Sequence, residues 1–178
     1  MKNVKAIIFD AYGTLFDVNS AAEKCKDKIG DKWESFANYW RTTQLEYTWL
    51  RSLMKKYKDF CQITEDSLDK SMKAFKIDSS MRDELLDLYK ILSTFPEVKE
   101  VLNNLKEKNY KLAILSNGTS ALLNKLVKSN NLESIFDDIF SVEEVGIYKP
   151  DSKVYDIPIK KYQIQKDEVV FLSANTWD

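Results

Sequence analysis

The stretch VKAIIFDAYGTLF, residues 4–16, contains the pattern that decides the fold. Its apolar run from Ala6 to Phe9 is typical of a strand that is buried on both faces, as in a parallel sheet. The strand ends at Asp10, and Gly13 lets the chain turn sharply because glycine adopts positive φ without steric cost. Ligands of open α/β sheets bind just beyond the carboxyl ends of the strands. Asp10 is therefore either a candidate nucleophile or a turn aspartate that caps local backbone amides.

Three more apolar runs predict strands, over residues 112–115, 139–142 and 169–172. A segment with helical spacing of apolar residues precedes each of them. This alternation predicts an α/β fold with a Rossmann-like parallel sheet. In the predicted helix 151–162, Pro158 is expected to kink the helix or to split it in two.

The segment 17–93 has a different character, because it contains helical patterns and no strand pattern. Its apolar residues recur at three- and four-residue steps, and helices are expected to open at an N-cap on Asp31 and at Thr64. Four such helices in sequence predict a small helical bundle. The predicted organisation is an α/β core of residues 1–16 and 94–178, interrupted by this bundle as a cap over the strand ends.

Length and composition indicate a globular chain with a sizeable core, since 44% of its 178 residues are hydrophobic and 31% are charged. The 27 basic and 28 acidic side chains leave a net charge of −1, so no general attraction to nucleic acid is expected. No apolar run has the length of a membrane span, and no secretion signal opens the chain. We therefore expect a cytoplasmic protein that binds neither membranes nor nucleic acid.

The absence of histidine narrows the chemistry further. It excludes Ser-His-Asp and Cys-His catalysis and every histidine metal site. The two cysteines, Cys25 and Cys61, lie far apart in the sequence, which favours reduced intracellular thiols over a disulfide. Any catalysis must therefore use carboxylates, hydroxyls, amides, lysine or arginine.

Polar side chains follow each of the four predicted strands. Parallel strands bring their carboxyl ends to one side of a sheet, so these groups should converge. They are Asp10 and Thr14, then Ser116 and Asn117, then Lys149 slightly downstream, and finally Ser173, Asn175 and Asp178.

In this arrangement the chain resembles the haloacid dehalogenase superfamily, and specifically its (S)-2-haloacid dehalogenases. The superfamily pattern is an apolar strand ending in Asp, then Ser or Thr after the second strand, then Lys, then an acidic motif. Asp10, Ser116, Lys149 and Asp178 match it in that order. The subfamily motifs are FDAYGT at 9–14, WR at 40–41, QLEYTWLR at 44–51, LSNG at 115–118, YKPD at 148–151 and SANTWD at 173–178.

The residue two positions after Asp10 separates two chemistries within this superfamily. Its phosphatases carry a second aspartate there, which protonates the leaving alkoxide, and they bind Mg²⁺. Here that residue is Tyr12, which is not an acidic proton donor near neutral pH. A halide leaves as a stable anion and needs no proton. The resemblance therefore implies a dehalogenase without cofactor or metal, and a Mg²⁺-dependent phosphatase is the alternative.

The resemblance also implies a two-step reaction. The Asp10 carboxylate attacks C2 of an (S)-2-haloalkanoate from behind and displaces the halide, and water hydrolyses the resulting ester to an (R)-2-hydroxy acid. Two like charges about 4 Å apart cost roughly 4 kcal/mol at an effective dielectric of about 20. Lys149 is the expected counter-charge for the nucleophile and the substrate carboxylate.

The remaining roles follow from the resemblance alone. Ser116 and nearby backbone amides, including those of Ala11 and Tyr12, would hold the substrate carboxylate. Arg41 and Asn117 would receive the halide, although a helix arginine by itself more often lies at the surface and pairs with a glutamate. An apolar wall around the substrate would consist of Tyr12, Leu45, Phe60 and Trp177, which otherwise are ordinary core residues. The hydrolytic water would be handled by Asp178 with Asn175, Ser173 and Thr14, while Tyr155 would donate a hydrogen bond that steadies Lys149.

Two departures from the family pattern bear on turnover. Ala174 stands where relatives often have a second serine. Family members also continue beyond Asp178, so we expect a C-terminally truncated product that holds Asp178 loosely and hydrolyses the ester less well than it releases halide. A further alternative is a non-catalytic binding or dimerisation module. Related enzymes commonly dimerise through cap helices, so the resemblance implies a homodimer, with the aromatic-rich segment 33–54 as the candidate interface.

Overall fold

A parallel sheet of four strands forms the centre of the computed structural model, which describes residues 3–178. The strand order is β3-β2-β1-β4. Phe9 at the end of β1 pairs with Ile114 on one side and Leu172 on the other, so Asp10 emerges at the aligned carboxyl ends. The strands are β1 (Ala6–Phe9), β2 (Lys111–Ser116), β3 (Asp138–Ser141) and β4 (Val169–Leu172). This confirms the predicted α/β class and its parallel sheet.

The described residues form the α-helices α1 (Ser20–Lys24), α2 (Lys26–Ile29), α3 (Trp33–Leu53), α4 (Phe60–Phe75), α5 (Arg82–Tyr89), α6 (Val98–Glu107), α7 (Ser120–Ser129) and α8 (Ser152–Tyr162). Six of them, α1 to α6, lie between β1 and β2, with no sheet strand among the described residues of that segment. In this segment α3 packs along α4, and α1 contacts both α3 and α5. The assignment of residues 17–93 to a separate cap subdomain stays a prediction.

Several helix boundaries differ from those expected. Helix α4 begins at Phe60, before Thr64, because the Asp59 carboxylate accepts a hydrogen bond from the Gln62 backbone N–H and caps the first turn. Helix α3 begins at Trp33, so Asp31 is not its cap. At α4, side-chain capping and not the apolar period decides the first turn, whereas no side chain caps the start of α3.

Helix α8 is not split at Pro158. A proline removes one backbone hydrogen bond, and the helix continues because its apolar side remains packed: Val154 and Ile157 are buried beside Pro158. None of the helices in the described chain is long and apolar enough to span a bilayer. Cys25 and Cys61 are both free thiols.

Candidate active site

Lys149 lies among the polar groups that follow the strands. Its ammonium donates to Asp10 Oδ1 at 2.8 Å and to Asp178 Oδ2 at 2.6 Å, and its side chain is only 1% exposed. The Lys149 backbone N–H donates to Asn117 Oδ1 at 3.0 Å, which ties the loop after β3 to the end of β2. The ring of Phe171 lies 5.1 Å from the ammonium. One buried ammonium group thus binds the carboxyl groups of two aspartates.

Asp10 is buried, and donors contact both of its carboxylate oxygens. Lys149 binds Oδ1, while Thr14 Oγ1 and Asn175 Nδ2 donate to Oδ2 at 3.1 and 2.9 Å. The Ala174 backbone N–H in turn donates to Thr14 Oγ1 at 2.9 Å. These bonds fix the orientation of the Asp10 carboxylate. Thr14 and Asn175 thus bind Asp10 directly, and their expected contact with the hydrolytic water stays a prediction.

Asp178 is held from three sides, and its side chain is 0% exposed. Ser173 Oγ donates to Oδ2 at 3.0 Å beside Lys149, and Tyr155 OH donates to Oδ1 at 2.5 Å. The expected hydrogen bond from Tyr155 to Lys149 is therefore wrong, because the phenol reaches the carboxylate instead. Three hydrogen bonds contact the Asp178 carboxylate, and the expectation that ester hydrolysis is slower than halide release stays a prediction. Burial, and then the bond to Asp178, raise the pKa of Tyr155, so this phenol stays a proton donor.

The loop that follows Asp10 contributes backbone N–H groups to the site. Among the described residues, the N–H groups of Ala11 and Tyr12 donate to no protein acceptor. The Ser116 hydroxyl is fully buried at the end of β2 and accepts a hydrogen bond from the Gly118 N–H at 3.1 Å. Successive backbone N–H groups without a protein acceptor can together bind an anion. This end of the sheet can accordingly bind a carboxylate.

Arg41 approaches the same loop from helix α3. Its Nη2 donates to the Tyr12 carbonyl at 3.0 Å and its Nη1 donates to Gln44 Oε1 at 2.9 Å. Within residues 3–178, no carboxylate oxygen lies within 4 Å of the Arg41 guanidinium. The alternative of a surface arginine paired with a glutamate is therefore not the arrangement found. Arg41 is a half-buried cation that neutral oxygens hold.

Aromatic rings pack around Tyr12. Its ring centroid lies 5.0 Å from that of Phe60 and 5.7 Å from that of Tyr89, which is stacked on it. A Cβ atom on Gly118 would lie 2.7 Å from Tyr12 Cε2, so a side chain at position 118 would collide with the ring. Burial raises the pKa of Tyr12 well above its ordinary value. The Tyr12 phenol is thus a neutral part of an aromatic wall.

The other expected wall residues lie on or against α3. Leu45 is half-buried on that helix, and the ring of Trp177 lies edge-on to that of Trp49, with centroids 5.4 Å apart. Sequence reasoning missed Gln44, Tyr89 and Trp49, because their helical spacing is that of ordinary core residues. For Gln44 a signal existed, since an amide on the buried face of a helix needs hydrogen-bond partners.

Residues 4–178 of the chain match the family model of the haloacid dehalogenase-like hydrolases. The chain belongs to this family. The hydrolase is 40% identical over 180 residues to "(S)-2-haloacid dehalogenase 1" of Pseudomonas sp. (strain CBS-3). The alignment covers 100% of the chain and 79% of that enzyme.

Solved structures of dehalogenases are similar to this hydrolase. A crystal structure of a dehalogenase matches it with a TM-score of 0.97 at 37% identity, covering 100% of the chain and 80% of the other protein. The L-2-haloacid dehalogenase of Xanthobacter autotrophicus with chloropropionic acid covalently bound matches with a TM-score of 0.90 at 34% identity, covering 98% of the chain and 71% of that enzyme. The resemblance inferred from the motifs is confirmed.

Proposed function

We propose that this hydrolase is a 2-haloacid dehalogenase, which converts short (S)-2-haloalkanoic acids into (R)-2-hydroxy acids through an ester on Asp10. The observation that carries the proposal is the pair of cations around the strand end. Lys149 holds the Asp10 carboxylate in place, while Arg41 lacks an anionic partner among the described residues. Relatives named (S)-2-haloacid dehalogenases support the substrate class.

In the first step the Asp10 carboxylate attacks C2 of the substrate from the side opposite the halogen. The C–O bond forms as the carbon–halogen bond breaks, and the halide leaves with the bonding electron pair, so C2 inverts. The substrate carboxylate would bind at Ser116 and the free N–H groups of Ala11 and Tyr12. Arg41, together with the Asn117 amide, would receive the halide.

In the second step water attacks the carbonyl carbon of the Asp10 ester, and Asp178 takes up the water proton. The negative charge that develops on the ester oxygen lies where donors already bind Asp10: Lys149 on one oxygen, and Thr14 and Asn175 on the other. As the acyl C–O bond breaks, the departing alkoxide takes that proton back from Asp178, and the new carboxyl group of Asp10 loses its own proton to solvent, so that C2 is untouched. The product is therefore the (R)-2-hydroxy acid, and the Asp10 carboxylate is regenerated.

The alternative of a Mg²⁺-dependent phosphatase lacks a group to protonate the alkoxide. Tyr12 occupies the position of the second aspartate, and burial raises its pKa. The described residues also hold no cluster of three potential metal-ligating His, Cys, Asp or Glu side chains. Tyr12 therefore supports a halide as the leaving group.

We propose further that residues 17–93 form a cap over the strand ends, because Arg41 on α3 reaches the Tyr12 carbonyl. A homodimer through α3 is supported by the exposed side chains of Leu50, Leu53 and Met54 at the end of that helix. We propose that the enzyme is cytoplasmic. The free thiols of Cys25 and Cys61 support this location.

The proposed function is tested by halide release from each enantiomer of 2-chloropropionate, with and without EDTA, beside an aryl phosphate with Mg²⁺. We expect release from the (S) enantiomer that EDTA does not change, and no phosphate hydrolysis. Asp10→Asn should lower release by about 10⁴-fold or more, since it removes the nucleophile. Phosphate hydrolysis without halide release would support the phosphatase, and a folded chain without either activity would support the non-catalytic module.

A further inference from the structure

Gln44 is a fully buried amide on α3 whose two polar atoms both have partners. Its Nε2 donates to Thr64 Oγ1 at 2.8 Å. Its Oε1 accepts from Arg41 Nη1 at 2.9 Å and from Tyr89 OH at 3.1 Å. Thr64 Oγ1 itself donates to the Phe60 carbonyl at 2.7 Å. Gln44 thus links helices α3, α4 and α5 to the guanidinium of Arg41.

The direction of these hydrogen bonds fixes the orientation of the amide. Because Thr64 Oγ1 uses its own proton on Phe60, it can only accept from Gln44, which must therefore turn its NH₂ group toward Thr64. The Gln44 oxygen is then turned to Arg41 and Tyr89. A flipped amide would place two N–H donors against the guanidinium and the phenol, and would leave Thr64 without its donor.

We propose that Gln44 is a positioning residue that orients the Arg41 guanidinium for the leaving halide and keeps its charge available. Gln44 Oε1 and the Tyr12 carbonyl hold the two terminal nitrogens of Arg41. Both are neutral acceptors, so they fix the guanidinium without neutralising its charge. A carboxylate at position 44 would neutralise that charge. The inference rests on the proposed function and concerns the halide side of the site, not Ser116, which faces the substrate carboxylate.

The test is Gln44→Met, which keeps the length of the side chain and removes both hydrogen-bonding atoms. Inhibition constants are measured for bromide and for the (R)-2-hydroxy acid product. We expect the bromide constant to rise about tenfold, because Arg41 loses an acceptor that holds it, while the hydroxy-acid constant changes by less than about twofold. Gln62→Met is the matched control, since Gln62 is exposed on α4 and its side-chain amide donates to Asp66.

A second pair of variants changes Thr64, whose hydroxyl accepts a hydrogen bond from the Gln44 amide. Thr64→Val removes the hydroxyl that orients the amide, and Thr64→Ser keeps it. We expect the selective loss of bromide affinity in Thr64→Val, by about threefold, and wild-type behaviour in Thr64→Ser. This pair decides the question if Gln44→Met does not fold.

Equal changes in both inhibition constants would mean a general structural role and would overturn the inference, as would an unchanged bromide constant in a folded Gln44→Met enzyme. The failure of the proposed function is distinguishable from both. In that case the wild-type enzyme itself releases no halide, whereas here the wild type is active and only the positioning role fails.

Discussion

Two cations of this hydrolase, Lys149 and Arg41, are held in different ways. At the end of the sheet, Lys149 is buried against the carboxylates of Asp10 and Asp178. On α3, Arg41 is held by a carbonyl and an amide oxygen. A lysine that is paired with protein carboxylates both holds the nucleophile in place and stabilises the fold. An arginine held by neutral acceptors retains its charge for an anion that comes from outside.

The energetic consequence of this difference can be measured. Breaking a buried ion pair by removing one partner leaves an uncompensated charge, which typically destabilises by about 3–5 kcal/mol. Removing a cation that has only neutral acceptors leaves no such charge. Substitution of Lys149 should therefore lower both the activity and the free energy of unfolding. Substitution of Arg41 should lower the activity with little change in that free energy.

The largest effect is expected for Lys149→Met. Asp10 and Asp178 would lose their shared cation, so we expect the free energy of unfolding to fall by about 3–5 kcal/mol and halide release by about 10³-fold or more. Urea denaturation and a halide assay measure the two quantities. Lys99→Met, at an exposed lysine of α6, is the control. An unfolding free energy equal to that of the wild type would contradict the structural half of the comparison.

A smaller effect on activity is expected for Arg41→Met. Halide release should fall by about 10²-fold, because the departing anion loses its cation, whereas stability should change by no more than about 1 kcal/mol. The same two assays apply, with Arg51→Met on the same helix as the control. A loss of stability as large as that of Lys149→Met would remove the distinction between the two cations.

The smallest effect is expected for Tyr155→Phe, which sharpens the comparison within the Lys149 side. Asp178 loses the donor at its Oδ1, so ester hydrolysis should slow by about tenfold, while the first equivalent of halide should be released within about twofold of the wild-type rate. Rapid-quench measurement of halide release and hydroxy-acid formation separates the two steps. Equal slowing of both steps would place Tyr155 elsewhere in the mechanism.

The pH dependence of this variant has a defined sign. Because burial and the bond to Asp178 raise the pKa of Tyr155 above the ordinary value of about 10, its stabilising contribution is fully present below that pH. It is lost only as the pH rises through the folded-state pKa. The stability difference between Tyr155→Phe and wild type should thus be constant from about pH 6 to about pH 9. Chemical denaturation across this range provides the check.

Much of the fold could be predicted because its signals are local. The strand over residues 169–172 has the bounds expected from its apolar run. The start of α4 could not be predicted in this way, since it depends on the side chain of Asp59 capping the helix. Periodicity reports which face is buried, whereas a boundary depends on one hydrogen bond.

The candidate site divides in the same manner. The convergence of Asp10, Lys149 and Asp178 could be predicted, because parallel strands bring their carboxyl ends together. The partner of Tyr155 and the role of Gln44 could not. Both depend on which of several neighbouring oxygens lies within hydrogen-bond distance.

By itself, then, the sequence determined the α/β class, the family and the residue types that the chemistry uses, since apolar periods, glycine turns and charge content are properties of short segments. Only the tertiary structure decided which side chains bind one another. Lys149 and Asp10 are 139 positions apart, and Gln44 and Tyr89 are 45 apart. Contacts over such separations depend on how whole helices and strands pack, and a hydrogen bond changes partner within a distance of about 1 Å.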